Sequence, residues 1–230
     1  MTPEIVTDIQ RPPSDVVEGF EGIGAADVHE AMGKAGGMGP EISRVAGGSV
    51  VGPATTVRLP TGDNMMIHVG AKVAAPGDVL VIEATTDRGA TWGELATTNA
   101  KRKGIAGVVS GGNVRDVEEI REMDFPLFAS TVNHVGAVKE TPGSVNVPVT
   151  VGGTIVEPGD LVVGDGDGVT IVPREDAAEA LAAARDRIER EDEIRERIQS
   201  GEDLYDIAGY APSHYYHIFV RKAYVWMTAR

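Results

Sequence analysis

No cysteine occurs among the 230 residues. A disulfide framework and thiolate chemistry are therefore excluded. No apolar run approaches the roughly 20 residues needed to span a bilayer, so no membrane helix is expected. Positive charge is scarce as well. Lys and Arg number 21 against 35 Asp and Glu, for a net charge of −14, and only six of the bases are Lys. Phosphate backbones repel such a surface, which argues against a nucleic-acid partner. The opening "MTPEIVTDIQRPP" is acidic and broken by proline, without the basic start and apolar core of a secretion signal. These absences lead to the expectation of a soluble, cytoplasmic protein that acts on small molecules or meets a basic partner.

Turn-forming residues are plentiful, with 29 Gly and 13 Pro. They separate short runs rich in Val, Ile and Thr, which read as strands: 49–59, 77–84, 106–111, 125–130, 145–156 and 160–173. Helical stretches interleave at Ala25–Gly36, Gly93–Lys103 and Val117–Met123. Alternation of this kind predicts βαβ units, and the strand-rich 145–173 region adds antiparallel hairpins. No internal repeat or linker divides the chain. The expected organisation is one α/β domain over residues 1–207, followed by an aromatic extension over 208–230.

A long helix is predicted from just after Pro173 to just before Gly201, with the expected punctuation at both ends. Its apolar stripe runs Ala177, Leu181, Ala184, Ile188, Ile194 and Ile198. The step from Ile188 lands on Glu191, a carboxylate on the face that should be buried, and burying an unpaired charge is costly. Periodicity slightly prefers a wider stripe with Glu191 reaching solvent. All five tyrosines fall within 205–224. The tail "SHYYHIFVRKAYVWMTAR" reads as a short helix capped by Ser213 that docks on a neighbouring surface. His214 and His217 have no third ligand in view and read as packing residues.

The stretch "GVVSGGNVRDVEEI", 107–120, begins as a buried strand and turns polar. Gly111-Gly112 is expected to turn sharply, and the helix from Val117 follows. Crevices at the carboxyl ends of strands are where open α/β sheets bind ligands. Arg115 there offers a planar fork suited to a carboxylate, and Asp116 a hard oxygen ligand for Mg²⁺ or Mn²⁺. Alternatively Asp116 caps the helix and Arg115 pairs with Glu119. Spacing alone sides with that second reading. A further element shifts the balance: "TWGELATTNAKRKG" opens a helix at Glu94, 21 positions before Arg115. The free amides of Leu95 and Ala96 at its N-terminus suit a carboxylate or enolate oxygen.

The combination "TWGELATTNAKRKGIAGVVSGGNVRDVEEI" resembles the family that joins the class II 4-hydroxy-4-methyl-2-oxoglutarate/4-carboxy-4-hydroxy-2-oxoadipate aldolases to the regulator of ribonuclease E activity A. "GFEGIGAADVHEAMGKAGGM", "VVGPATTVRLPTGDNMMIHVG" and "GDLVVGDGDGVTIVP" extend the likeness from Gly22 to Ile207. Gly111 stands where many relatives carry Asp, Asn113 where Gly is frequent, and the tail beyond about Tyr210 runs past the usual family end.

The resemblance implies a single-domain, layered α/β/β/α sandwich of the swivelling-domain type. It also implies a metal-assisted pyruvate aldolase, or oxaloacetate decarboxylase, acting on a small 2-oxo acid. Asp116 would bind Mg²⁺ or Mn²⁺ directly and Glu94 through water. Arg115 would grip the keto acid, helped by the Leu95 and Ala96 amides. The pattern E-x-x-x-R-x-x-[I/L]-x-x-G fits Glu191, Arg195, Ile198 and Gly201, and makes Glu191 an outer ligand from an adjoining subunit of a homotrimer or homohexamer. No lysine is expected to fit a Schiff-base route. The alternative reading is a non-catalytic regulator resembling the ribonuclease E inhibitor.

Overall fold

The structure is a computed structural model that describes residues 2–84 and 88–209. The tail from Tyr210 onward, with Ser213, His214 and His217, lies outside the described residues. Two compact units divide the chain, one ending at Ala184 and one beginning at Arg185.

The first unit is built on an eight-stranded sheet in the order β1-β5-β4-β3-β2-β9-β10, with β6 also paired to β2. Its strands are β1 (Ser43–Ala46), β2 (Val50–Arg58), β3 (Val79–Glu83), β4 (Gly107–Val114), β5 (Leu127–Val132), β6 (Ser144–Val145), β9 (Leu161–Gly164) and β10 (Val169–Val172). β2 to β5 are parallel neighbours; β1 pairs antiparallel with β5, β6 and β9 with β2, and β10 with β9. The sheet curls at β2, whose first residues pair with β9 and whose last residues pair with β3. A separate hairpin joins β7 (Val149–Val151) to β8 (Thr154–Val156).

Alternation along the central strands decides the layers, because successive side chains leave a strand on opposite faces. Leu80 and Ile82 of β3, Val108 of β4, and Leu127 and Ala129 of β5 point one way. They meet α3 (Met65–Val73), α4 (Glu94–Lys103) and α5 (Val117–Glu122) through Met66, Ile67, Ala100 and Ile120. Val79, Val81, Val109 and Phe128 point the other way, against Val149, Val151 and Val156 of the hairpin and Val162, Val169 and Ile171 of β9 and β10. The outer face of β9 and β10 then receives Phe20, which follows α1 (Ser14–Glu18), and Ala25 and Val28 of α2 (Ala25–Ala31). Ala177, Ala180 and Leu181 at the start of α6 (Ala177–Gln199) join them. Helix, sheet, sheet, helix is the order expected of the α/β/β/α sandwich. Full burial of each large side chain in these seams contributes roughly 1.5–3 kcal/mol relative to exposure.

One expectation needs correction, and one helix was not anticipated. Gly111-Gly112 is not a turn. Both lie inside β4, where the register against β5 slips between Ser110 and Asn113, and the chain leaves the strand only at Arg115–Asp116. A Cβ on Gly112 would stand 2.8 Å from both the Ala84 and the Thr91 side chains, so glycine makes room there for neighbouring side chains. The stretch "MMIHVGAKV", which is not among the expected helices, is α3. Its helical period is concealed because apolar residues occupy most of its positions.

The second unit holds the remainder of α6 and the short α7 (Leu204–Ile207). Its described ion pairs are local: Arg187 with Glu191 at 2.5 Å, Arg195 with Asp192, and Arg197 with Glu202 at 2.7 Å. Among the described residues no helix is long and apolar enough to cross a membrane.

One buried ion pair fastens the N-terminal arm. The Arg11 guanidinium donates from Nε and Nη2 to the two oxygens of Asp78 at 2.8 and 2.7 Å, and Thr55 and the Ala75 amide complete the carboxylate's bonds. Asp78 is 1% exposed, so removing it leaves an arginine, a hydroxyl and an amide without their acceptor. Asp78→Ala is expected to lower stability by about 3–5 kcal/mol in urea unfolding. A loss under about 1 kcal/mol would mean that the arm is dispensable.

Candidate active site

The carboxyl end of β4 and the N-terminus of α4 meet because a short segment between them runs beside β4. Trp92 bridges to Val114 in parallel, Thr91 N donates to Asn113 O at 2.7 Å, and Arg115 N donates to Trp92 O at 3.0 Å. The buried Thr91 hydroxyl lies 2.7 Å from Ser110 Oγ and 2.8 Å from Asn113 O, which holds the irregular part of β4 in place. Trp92 is fully buried, and its indole N–H donates to Thr97 Oγ1 at 2.8 Å, locking the first turn of α4.

Arg115 and Asp116 therefore emerge beside Glu94. The Asp116 side chain does not cap its own helix, although it sits at the N-cap of α5. Its Oδ2 instead accepts the Glu94 amide at 3.0 Å, the first free donor of α4, and Arg115 Nε lies 3.5 Å from the same oxygen. Arg115 pairs with Asp116 rather than with Glu119. Asp116 has φ 56° and ψ 41°, a left-handed conformation uncommon for a residue with a side chain. Such strain, worth about 1–3 kcal/mol, persists where the surroundings impose it. Gly93 permits the approach, since a Cβ there would come 2.6 Å from Asp116 Oδ2.

These residues line a cavity of about 410 Å³ with Asn64, Ile67, His68, Ala90, Trp92, Glu119 and Lys139. The Leu95 and Ala96 amides precede the first intrahelical bond, from Thr97 N to Gly93 O, and both residues line the cavity. Glu94 is half-buried, and its Oε1 accepts from Thr98 Oγ1 at 3.0 Å. The five residues singled out around β4 and α4 thus share one cavity. Glu191 belongs to the second unit, where it pairs with Arg187.

Sequence reasoning missed Asn64, His68 and Lys139. Asn64 Nδ2 donates to Ala90 O at 3.3 Å, which steadies the segment before Trp92, while its buried Oδ1 has no protein donor among the described residues. His68 stands one helical turn further along α3. Partial burial, and then the Lys139 charge, hold His68 below the usual imidazole range. Asn64 and His68 are four apart, a spacing that would have been informative had α3 been recognised. Lys139 has no local signal at all.

Comparison with known proteins gives three findings. Residues 25–171 match the RraA-like family, described as Aldolase/RraA. A protein of Halalkalibacterium halodurans, provisionally named a 4-hydroxy-4-methyl-2-oxoglutarate aldolase, is 40% identical over 149 residues, 64% of this chain and 70% of that one. Two solved structures superpose closely. An uncharacterized protein from Pseudomonas syringae pv. tomato has a TM-score of 0.76 and 29% identity, covering 86% of this chain and 98% of its own. Streptomyces coelicolor RraAS2, described as an unusual member of the RNase ES inhibitor RraA protein family, has a TM-score of 0.72 and 29% identity, covering 81% and 100%.

The left-handed Asp116 yields a test of whether its carboxylate serves the fold or the cavity. Asp116→Gly removes the strain along with the side chain. Its thermal and urea unfolding should show stability within about 1 kcal/mol of the parent. A loss above about 2 kcal/mol would identify the bond to Glu94 as structural.

Proposed function

The chain belongs to the RraA-like, or aldolase/RraA, family, and from that premise we propose that it is a lyase. It cleaves a 4-hydroxy-2-oxo acid to pyruvate and a second carbonyl compound. The observation that carries this reading is the convergence of Arg115, Asp116, Glu94 and the Leu95 and Ala96 amides on one cavity.

The family implies a divalent metal, and the donor set fits one. Mg²⁺ binds through one or two carboxylates and keeps several waters. Asp116 has one oxygen engaged by the Glu94 amide, while Oδ1 has no protein donor among the described residues. Glu94 lies alongside. Among the described residues no three His, Asp or Glu gather into a self-sufficient metal site, which suits an ion completed by water and substrate. Asp116 would hold Mg²⁺ or Mn²⁺ directly and Glu94 through water. When bound, the ion supplies Lewis acidity at the 2-keto oxygen.

The chain's own groups do the rest. Arg115 is half exposed into the cavity and grips the carboxylate and keto end through its planar fork. The proton of the 4-hydroxyl leaves to ordered water, the C3–C4 bond breaks, and its electron pair passes to the keto oxygen. The resulting pyruvate enolate is held by Arg115 and by the Leu95 and Ala96 amides, donors already aimed where the charge develops. Protonation at C3 releases pyruvate. Oxaloacetate decarboxylation passes through the same enolate and is expected as a second activity. Lys139 is exposed, whereas an amine nucleophile is activated by desolvation, so no Schiff base is assigned to it.

Assembly forms part of this reading. Leu95 is 80% exposed at the cavity, and Val132, Val135 and Val138 are 55%, 44% and 55% exposed nearby in sequence to Lys139. Apolar residues left open in this way suit an interface between copies. We assign a homotrimer, or stacked trimers, in which Glu191 of an adjoining copy completes the outer metal shell. A second reading, a regulator of an RNase, draws on the description of the Streptomyces neighbour. It requires no turnover.

Pyruvate release from 4-hydroxy-4-methyl-2-oxoglutarate and from oxaloacetate separates the two. Release should depend on Mg²⁺ or Mn²⁺ and stop in excess chelator; full activity in chelator overturns the metal assignment. Arg115→Lys keeps the charge but loses the fork, and kcat/KM should fall by about 100-fold. Glu191→Ala and Asp116→Ala subunits, each inactive, should regain activity when reassembled together. No recovery in verified mixed oligomers removes Glu191 from the shared site.

A further inference from the structure

We infer that His68 is the proton carrier of the cavity, receiving the proton that leaves the 4-hydroxyl and returning it to C3 of the enolate. This rests on the lyase reading of the same cavity, in which ordered water takes that proton first. The cycle balances without a further reactant. The neutral imidazole gains the 4-hydroxyl proton through the water as the C3–C4 bond breaks and its electron pair passes to the keto oxygen. The imidazolium then gives the proton to C3, where the returning pair forms the new C–H bond and pyruvate leaves.

Among the described residues that line the cavity, no other side chain suits this task. Imidazole is the side chain whose ordinary chemistry takes up and releases a proton near neutrality. His68 is the one histidine on that lining. The carboxylates nearest the substrate are committed. Glu94 accepts from Thr98, Asp116 accepts from the Glu94 amide, and both are assigned to the cation. Trp92 is bound to Thr97. His68 stands open to the cavity and has no hydrogen-bond partner among the described residues, so a ring nitrogen is left to accept. His29 differs, because its Nδ1 lies 2.9 Å from Ala35 O.

The surroundings keep that nitrogen unprotonated. Partial burial, and then the Lys139 charge, hold His68 below the usual imidazole range, so it stands neutral near pH 7. Arg115 and Lys139 share the cavity and oppose its protonation, whereas Glu94, Asp116 and Glu119 share it and favour protonation. Lys72 follows one turn along α3. The place of Lys139 beside α3 is fixed from within. The amides of Glu140 and Thr141 both donate to Asp63 Oδ2 at 2.6 Å, and Asp63 Oδ1 accepts from Met65 N at 2.7 Å, at the start of α3. Asp63 is only 2% exposed. Burial pushes its carboxyl up, but the amides together hold it below the usual carboxylate range, so it stays ionised. A buried carboxylate is costly unless fully bonded. Asp63 is thus a positioning residue that ties the helix of His68 to the segment of Lys139.

Exchange of the pyruvate methyl protons for deuterium, followed by NMR with Mg²⁺ supplied, reads proton transfer at C3 without a 4-hydroxy acid. His68→Gln should slow exchange by about 100-fold, with pyruvate affinity little changed. In the parent the rate should fall toward acid along a limb below the usual imidazole range, since protonation removes the acceptor. That limb should vanish in His68→Gln. His68 is exposed, so the substitution leaves the core intact. Undiminished exchange in His68→Gln, a limb at the same pH in that variant, or a loss that follows weaker pyruvate binding overturns the assignment and leaves the lyase reading standing. Should the parent neither exchange these protons nor release pyruvate from 4-hydroxy-4-methyl-2-oxoglutarate, the lyase reading fails and the role of His68 falls with it.

Discussion

The hydrogen bond from the Glu94 amide to the Asp116 carboxylate joins the start of one helix to the end of the strand that follows it. Both the cavity and the unusual backbone of Asp116 depend on that junction. A side chain at an N-cap ordinarily serves its own helix. Here it reaches to another helix, and the backbone adopts a left-handed conformation to let it do so. Gly93 leaves the necessary room, and Trp92 beneath it anchors the turn through Thr97. An Arg, an Asp and the free amides of α4 thereby face one cavity without relying on a long flexible loop.

The sandwich supplies the rigidity behind this junction. β3, β4 and β5 are buried on both faces, with helices on one side and the antiparallel strands on the other. Parallel strands covered in this way leave their carboxyl ends as a natural place for a crevice, where chain must cross from strand to helix. The slip in β4 between Ser110 and Asn113 lies just before that crossing. Bulges of this kind change the direction in which the following side chains point, and the Thr91–Ser110 hydroxyl pair keeps this one from relaxing. The cost of burying these polar groups is offset because the hydroxyls of Thr91 and Ser110 are both hydrogen-bonded.

Charge is distributed unevenly around the cavity. The protein is strongly acidic, so small anions are repelled from most of its surface. Arg115 and Lys139 both line one concave place, together with the partly buried His68. The two carboxylates Glu94 and Asp116 would repel an anionic ligand unless neutralised. On the proposed lyase reading, a divalent cation between protein and substrate would reconcile those opposing demands.

The sequence by itself determined most of the strands, the α/β class and the pairing of Glu94 with Arg115–Asp116. Those features are local: alternation, punctuation by Gly and Pro, and a helix–strand return of fixed length. It was less informative for α3, where apolar residues on most faces hide the period, and for Gly111-Gly112, where glycine signals a turn and a bulge equally well. Only the tertiary structure decided that Asp116 bonds to α4 instead of capping α5, because that choice depends on the space left by Gly93 on another element. Only the tertiary structure brought Lys139 to the cavity. Its place is set by the buried Asp63, 76 positions earlier, whose carboxylate finds amide donors on a segment with no regular pattern of its own. Contacts between distant segments are selected by burial and by the need to satisfy buried charge, and neither leaves a period that a sequence can display.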